Sequence, residues 1–238
     1  CVLLVAGVVV VVWYMRKKRE FLRQRFFQQI NRVRMENLRS RISPHFTFNV
    51  LGREINQFNG SEEVKHNLME LVKYLRRSLE LTEKLSVSLQ DELDFVRTYI
   101  ELERGRVGED FVATITVEDG LDATRIMIPS MIVQIPVENA IKHGLAGKDG
   151  KKELMVYVSR ETNGIRITVT DNGRGYLPQV VSATRGTGTG LKVLYQTIQL
   201  LNTKNKSDKI RFNITNRSDG QTGTEVSVYI PFRFSYDL

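Results

Sequence analysis

The hydrophobic periodicity of this chain changes near Asp110, and this change constrains the fold more than any other feature of the sequence. Upstream, apolar residues recur every three or four positions, as they do on the buried face of an amphipathic helix. The clearest run consists of Val64, Leu68, Leu71, Leu75 and Leu79. Downstream, apolar residues alternate with polar or small ones, which is the pattern of strands with one buried face. The sequence therefore predicts an α+β chain, with helices first and a sheet afterwards.

The upstream part predicts a helical hairpin. Its first helix is amphipathic and is interrupted or kinked near Pro44, and Ser61 can cap the second helix. Because neither helix has enough apolar surface around it to be stable alone, we expect two copies of the hairpin to form a dimeric four-helix bundle. A further helix is predicted from Ser88, where Asp91 can complete a capping box.

The downstream part predicts about five strands with helices between them. The alternating segments are 111–117, 154–158, 165–169, 210–214 and 226–230. One helix is predicted from Pro129, at a first-turn position, to about His143, and another from Gly190 to about Leu201. This order of elements predicts a sheet that helices cover on one face.

The positive charge of the chain is confined to one segment. Residues 16–41 contain ten Lys or Arg and two Glu, which accounts for the formal net charge of +8 of all 238 residues. The remaining residues are neutral in sum, whereas a protein that binds nucleic acid needs a basic surface to contact the phosphates. The sequence therefore predicts no direct nucleic-acid partner.

An apolar run, residues 1–13, precedes this basic segment, and Trp13 and Tyr14 stand at its end. Aromatic residues followed by Lys and Arg are typical of the cytoplasmic flank of a membrane span, whereas a signal peptide carries its charges before the apolar stretch. The run is shorter than the roughly 20 residues that a bilayer requires. We interpret it as the C-terminal part of a transmembrane helix; a buried strand or core helix is the alternative.

The cysteine and histidine residues exclude two classes of site. The single cysteine, Cys1, allows no intrachain disulfide, and the three histidines lie far apart without the spacing of zinc ligands. His45 differs from the other two because Asn49 follows four residues later, which places both side chains on one face of a helix. His45 is therefore a candidate phosphate acceptor, and His66 and His143 are predicted to be structural.

Two glycine clusters flank one predicted loop. The first, DNGRG at residues 171–175, ends a strand, and its glycines let the backbone turn sharply and approach a ligand closely. The second, GTGTG at residues 186–190, opens a helix whose first N–H groups and positive dipole end favour phosphate. The pattern matches neither the Walker lysine loop nor the dinucleotide fingerprint.

Glu138 and Asn139 lie in the middle of a predicted helix among apolar residues, where unsatisfied polar groups are costly. Magnesium ligation by Asn139 and handling of water or a proton by Glu138 would account for them. A cap or a hydrogen bond within the core is the alternative. Lys142 follows Asn139 by three residues, lies on the same face and could meet a phosphate.

Four segments resemble a known family. RISPHFTFNVL (residues 41–51) resembles the phosphoacceptor region of sensor histidine kinases of the LytS/YehU type, and IPSMIVQIPVENAIKHGL (128–145) resembles their asparagine box. VTDNGRGY (169–176) and RGTGTGLKVL (185–194) resemble the glycine boxes of the Bergerat ATP-binding fold, or GHKL fold, shared with gyrase, Hsp90 and MutL.

The resemblance covers residues 34–231 and implies a division of the chain into three parts. Residues 1–15 would be the end of a transmembrane helix, and residues 16–86 a juxtamembrane helix with a hairpin for dimerisation and phosphate acceptance. Residues 87–238 would be an α/β sandwich of the Bergerat type that binds ATP.

The resemblance also implies roles for individual residues. His45 would accept the γ-phosphoryl group of ATP, Asn139 would bind Mg²⁺, and Asp171 would accept a hydrogen bond from the adenine amine. Thr224 matches a threonine that supports the adenine end, although an ordinary threonine at the start of a strand is the alternative. The implied glycine contacts are the adenine pocket for Gly173 and Gly175, and the lid and phosphates for Gly186, Gly188 and Gly190.

The chain departs from many histidine kinases in one catalytic position. Phe46 follows the acceptor histidine where those enzymes have an acidic base, as it usually does in the family that this chain resembles. Glu138 is a candidate for part of that role. Asn49 is placed to orient a water or the phosphorylated ring, which would suit dephosphorylation of a partner.

The resemblance implies a homodimeric sensor kinase in the bacterial cytoplasmic membrane, with its catalytic portion in the cytoplasm. It would use ATP and Mg²⁺ to phosphorylate His45 and would pass the phosphoryl group to an aspartate of a separate response regulator. Two alternatives remain open at this point. One is a Bergerat-fold ATPase whose hydrolysis drives a clamp, and the other is a catalytically inactive dimeric scaffold.

Overall fold

The computed structural model describes residues 12–18, 21, 62–176, 189–203, 205 and 207–236. Residues 12–18 are helical. The candidate residues His45, Asn49, Gly186 and Gly188 lie outside the described residues, as does the first helix of the predicted hairpin. Within the described segments, no helix has both the length and the apolar character that a membrane span needs.

Helix α1 (Glu62–Glu83) is the second helix of the predicted hairpin, and one of its faces is buried within the chain. The buried side chains on this face are Leu71, Tyr74, Ser78, Leu81 and Thr82. The Tyr74 ring stacks on Phe95, with the ring centroids 4.8 Å apart, and on Tyr99 at 5.9 Å. The hydrophobic core therefore includes residues on both sides of position 86.

Helix α2 (Leu89–Val107) begins at the predicted cap. The Ser88 hydroxyl accepts a hydrogen bond from the Asp91 N–H at 3.0 Å and donates one to the Asp91 carboxylate at 2.7 Å. This arrangement satisfies one of the N–H groups that a helix start leaves unpaired, and it confirms the predicted start of the helix. One face of the helix is apolar and packs into the core, since Leu89, Leu93, Val96 and Ile100 are all buried.

All five predicted strands are present and form one sheet. In spatial order they are β2 (Phe111–Val117), β4 (Lys152–Glu161), β5 (Gly164–Asp171), β7 (Thr224–Pro231) and β6 (Arg211–Asn216). The β2–β4 pair is parallel and the other three pairs are antiparallel. The buried face of the sheet packs in one core with side chains of α2, α3 (Gln134–Asn139) and α4 (Thr189–Asn202). The predicted α+β class is therefore confirmed.

Two short strands, β1 (Ser86–Ser88) and β3 (Met127–Pro129), form a separate antiparallel pair. The prediction that Pro129 occupies the first turn of a helix is therefore wrong, because Pro129 ends β3. Helix α3 starts five residues later, at Gln134, and continues as a π-helical turn, Ala140–Gly144. The delay arises because the chain first pairs with β1, and the N–H groups that follow are taken by a side chain of α2.

We expect Tyr74→Ala to lower the free energy of unfolding by about 3 kcal/mol, because it removes a buried ring from between α1 and α2. Chemical denaturation measures this quantity. Arg76→Ala, at an exposed position of the same helix, is the control and should change it by less than about 0.5 kcal/mol. Equal effects of the two substitutions would show that the packing of α1 on α2 contributes nothing to stability.

Candidate functional site

Asp171 is the last residue of β5, and its side chain is held in a fixed orientation below the protein surface. Only 4% of the residue is exposed. Its Oδ1 accepts hydrogen bonds from the N–H of Gly173 at 2.8 Å and of Thr224 at 3.4 Å. Burial raises the pKa of Asp171, and the hydrogen bonds from Gly173 and from the N–H and hydroxyl of Thr224 oppose that rise.

Three backbone segments approach Asp171 so closely that no side-chain carbon fits between them. A Cβ on Gly144 would lie 2.7 Å from the Asp171 Oδ1, and a Cβ on Gly173 would overlap the Gly144 carbonyl. A Cβ on Gly223 would overlap the Asp171 carbonyl, and Gly223 also has a φ of 140°. We call Asp171 with these three glycines the Asp171 cradle.

The remaining residues of the first glycine cluster extend this arrangement. Gly175 has a φ of 85°, and a Cβ there would lie 2.8 Å from the Asn216 Oδ1. The same oxygen accepts a hydrogen bond from the Tyr176 N–H at 2.6 Å. Asn172 points the other way, where its Oδ1 accepts a hydrogen bond from the Glu153 N–H at 2.8 Å. The cluster thus turns the chain from β5 towards β6, with the Asp171 carboxylate buried at the start of the turn.

Asn139 ends α3 one turn before the Asp171 cradle. Its Nδ2 donates to the Ile135 carbonyl at 2.8 Å, which leaves the amide oxygen as the atom that a cation would meet. The π turn that follows closes with a hydrogen bond from the Leu145 N–H to the Ala140 carbonyl at 2.8 Å. Such wider turns occur frequently at functional sites, and this one ends at Gly144, in contact with Asp171.

Glu138 and Lys142 form an ion pair one helical turn apart. Their side chains are 18% and 25% exposed, so the pair is largely shielded from water. Burial, together with the nearby charge of Glu138, raises the pKa of Tyr99 well above its usual value. Because of this ion pair, Lys142 lies against Glu138 in the structure. Lys142 can contact a phosphate only if the pair opens or if the lysine contacts the phosphate and Glu138 together.

Helix α4 starts beside α3. A Cβ on Gly190 would lie 3.4 Å from the Ile135 Cγ2, and Ile135 is the residue whose carbonyl holds the Asn139 amide. The N-terminal end of α4 carries unpaired N–H groups and the positive end of the helix dipole. The structure therefore brings a site that favours phosphate next to the helix that ends with Asn139.

The described residues fit a magnesium nucleotide better than a metal bound by protein alone. They contain no group of three or more His, Cys, Asp or Glu side chains that could hold a metal ion. A protein usually supplies Mg²⁺ with only one or two oxygen ligands, and substrate phosphates and water supply the others. The amide oxygen of Asn139 meets this requirement.

Two glycines of the cradle and one buried acid have no role predicted from the sequence. Gly144 lies in the segment that resembles the asparagine box and Gly223 precedes Thr224, but neither position shows in the sequence that it packs against Asp171. Glu92 is fully buried on α2 and accepts hydrogen bonds from three backbone N–H groups of the turn before α3. Its signal is visible in the sequence, since a charged residue stands between Leu89 and Leu93 on the apolar face of a helix.

Comparison with known proteins gives two family matches. Residues 33–111 match the family described as Histidine kinase, and residues 124–233 match the Histidine kinase-, DNA gyrase B-, and HSP90-like ATPase family. The chain belongs to the histidine kinases. The second match carries the Asp171 cradle, Asn139 and the whole five-stranded sheet except β2, so this histidine kinase chain has the ATP-binding fold of that family.

Individual relatives are similar to this histidine kinase chain over most of its length. Sensor histidine kinase YpdA of Escherichia coli strain K12 is 28% identical over 205 residues, which are 86% of this chain and 35% of that protein. Sensor histidine kinase/phosphatase LytS of Staphylococcus aureus strain MRSA252 is 32% identical over 79% of this chain and 33% of its own length. The chain thus spans about a third of the length of these curated relatives.

A solved histidine kinase structure is also similar. The histidine kinase domain of the blue-light activated histidine kinase of Erythrobacter litoralis EL346 covers 87% of this chain and 94% of its own, at 15% identity and a TM-score of 0.48.

We expect Gly223→Ala to destabilise the protein by about 3 kcal/mol, because the new Cβ overlaps the Asp171 carbonyl at a positive φ. Gly120→Ala is a matched control, since Gly120 also has a positive φ of 82° but has nothing within 4 Å of an added Cβ. It should cost only about 1 kcal/mol of backbone strain. Thermal or chemical unfolding distinguishes the two, and equal costs would contradict the close approach at the cradle.

Asp171→Asn should weaken nucleotide binding about tenfold or more, because a hydrogen bond to a charged acceptor is lost. It should not lower the stability of the nucleotide-free protein. The raised pKa of Asp171 means that its ionised form is disfavoured in the folded state, so the wild type loses stability as the pH rises towards neutrality. The variant lacks this cost, and its stability relative to the wild type should decline as the pH is lowered through the raised pKa of Asp171. Calorimetric binding and unfolding across pH measure both effects.

Proposed function

We propose that this chain is the dimerisation and catalytic portion of a two-component sensor histidine kinase. It transfers the γ-phosphoryl group of ATP to His45 and then to an aspartate of a separate response regulator. The observation that carries this proposal is the Asp171 cradle, a buried carboxylate packed among three glycines, one of which ends the π turn that follows Asn139.

The cradle suits an adenine ring. Adenine presents an exocyclic amine, and an ionised carboxylate is an acceptor without donors of its own. Asp171 is held by Gly173 and Thr224, so its carboxylate requires no reorientation when the amine arrives. Gly173 and Gly175 would lie at the adenine end of the site, as the resemblance implies.

The phosphates would lie between Asn139 and the start of α4. The amide oxygen of Asn139 would hold Mg²⁺, which when bound neutralises charge on the nucleotide phosphates. Gly190, with Gly186 and Gly188 before it, would let the N-terminal N–H groups of α4 approach those phosphates. Lys142 would supply a further positive charge from its partly shielded position against Glu138.

The transfer itself requires a nucleophile that approaches in line with the leaving group. A ring nitrogen of neutral His45 attacks the γ-phosphorus, the bond from that phosphorus to the β–γ bridging oxygen breaks, and ADP leaves with the electron pair. The other ring nitrogen gives up its proton to a base, for which Glu138 is the candidate on this chain. An ordinary imidazole, with a pKa near 6.5, is mostly neutral at cytoplasmic pH, and the neutral ring is the nucleophile that this step needs.

Asn49 extends the proposal to a second reaction, the dephosphorylation of the response regulator. One relative is a sensor histidine kinase/phosphatase. An amide one helical turn from the acceptor histidine can orient a water molecule against the phosphorylated aspartate of a partner. We therefore assign Asn49 to dephosphorylation of the response regulator.

Two further parts of the proposal concern assembly and location. The hairpin of residues 16–86 would pair with a second copy of the chain to form a dimeric four-helix bundle. The apolar run of residues 1–13 and its basic flank would attach the protein to the bacterial cytoplasmic membrane, with the catalytic part in the cytoplasm. No direct contact with nucleic acid is proposed.

Incubation with γ-labelled ATP and Mg²⁺ tests the proposal. The chain should acquire acid-labile, alkali-stable label, and His45→Ala and Asn139→Ala should both abolish it. A receiver domain added afterwards should remove the label from the wild type. Label that persists in His45→Ala would overturn the acceptor assignment. Release of phosphate without labelled protein would favour the ATPase, and absence of nucleotide binding would favour the inactive scaffold.

A further inference from the structure

Glu92 is a fully buried acid that the proposed transfer does not use directly. It lies on α2, and none of its surface is exposed. Its Oε2 accepts a hydrogen bond from the Met131 N–H at 2.7 Å. Its Oε1 accepts hydrogen bonds from the N–H groups of Val133 at 2.7 Å and Gln134 at 3.2 Å. One carboxylate therefore holds the whole turn that leads into α3.

The burial of the Glu92 carboxylate costs free energy, which its hydrogen bonds must offset. A buried carboxylate is expensive, and backbone N–H groups at a helix start repay that cost because they are unpaired and lie at the positive end of the dipole. Met131 adopts a φ of 71°, a conformation that residues other than glycine seldom take. Such a turn points successive N–H groups into one concavity that suits an anion. Glu92 is the anion in this concavity.

The same turn is fastened to α1. The Ser130 hydroxyl donates to the Leu81 carbonyl, and the Ser130 N–H donates to the Leu85 carbonyl at 3.2 Å. The Gln134 Nε2 lies 3.5 Å from the Tyr74 hydroxyl, and Gln134 is fully buried. The start of α3 thus rests on both preceding helices, and Asn139 follows Gln134 by little more than one helical turn.

We propose that Glu92 is a positioning residue for the nucleotide site. By holding the start of α3 against α2, it sets the depth and rotation at which Asn139 presents its amide oxygen to the phosphates. Glu92 acts through Asn139, whereas the adenine end is held separately by Gly173 and Thr224 at the ends of β5 and β7. This inference rests on the proposed function, in which Asn139 binds the magnesium nucleotide.

The test is the magnesium dependence of ADP binding to the full chain, measured by calorimetry with and without Mg²⁺. Glu92→Gln keeps the size of the side chain but removes the charge and turns one acceptor into a donor against an N–H group. We expect it to reduce the gain in affinity that Mg²⁺ provides by about tenfold. ADP affinity without Mg²⁺ should fall much less, because the hydrogen bonds that hold Asp171 come from Gly173 and Thr224 and not from α3.

Glu103→Gln is the matched control. Glu103 is a buried acid on the same helix, only 1% exposed, and it pairs with Arg106 of α2. Its substitution should leave the magnesium gain intact. Glu92→Asp, which keeps the charge on a shorter side chain, should restore part of the gain. In an Asn139→Ala background, Glu92→Gln should have no further effect on the magnesium gain, since both act at the same end of the nucleotide.

The outcomes separate the inference from the proposed function. If Glu92→Gln retains the full magnesium gain, or weakens metal-free ADP binding equally, Glu92 has no positioning role although the kinase assignment stands. If the wild type binds ADP without any magnesium gain, the role of Asn139 fails and the inference fails with it. Normal magnesium gain in the wild type and its loss in Asn139→Ala support the function independently of Glu92.

Hydrogen exchange of the wild type provides a measurement that does not depend on a variant. The amides of Met131, Val133 and Gln134 should exchange as slowly as those of the central strand β5, because all three donate to a buried carboxylate. Exchange as fast as that of the exposed turn at Asp119 and Gly120 would overturn the proposal.

Discussion

The candidate site depends on one constraint. Three segments meet at Asp171 so closely that each must contribute a glycine, because a Cβ atom would not fit. Gly144 ends the π turn, Gly173 follows β5, and Gly223 precedes β7, and each lies too close to a neighbour to carry a Cβ. Because the interior of a protein is densely packed, a methyl group at Gly173 or Gly223 must displace backbone, and one at Gly144 must displace the Asp171 carboxylate. The close approach brings the π turn that follows Asn139 against the carboxylate and so joins the two halves of the proposed nucleotide site.

The two ends of the proposed nucleotide site have different supports. The carboxylate of Asp171 belongs to the sheet, since its hydrogen bonds come from the residues that follow β5 and begin β7. Asn139 belongs to a short helix whose start is held by Glu92 and by Ser130, and therefore by α2 and α1. A displacement of α1 would reach the phosphate end through these bonds before it reached the adenine end. The hydrogen bonds of Ser130 and Glu92 therefore connect α1 and α2 to the phosphate end of the proposed site.

Local patterns predicted much of the fold. The alternation of apolar residues located all five strands, because one face of each is buried, and Ser88 with Asp91 located the start of α2, because a cap is satisfied by neighbours in sequence. Pro129 was misplaced for the opposite reason. Its segment pairs with β1, some forty residues upstream, and proline is equally acceptable at the end of a short strand and in the first turn of a helix.

The sequence by itself determined the order of helices and strands, the end of β5 at Asp171 and the presence of Asn139 on the helix that follows β3, since these follow from local periodicity and residue type. Only the tertiary structure decided which distant segments meet: that Gly144 and Gly223 lie against Asp171, and that Glu92 holds the turn before α3. The reason is physical. Glycine and a buried acid act here on segments far away along the chain, and neither spacing nor composition records which distant segment will supply the partner.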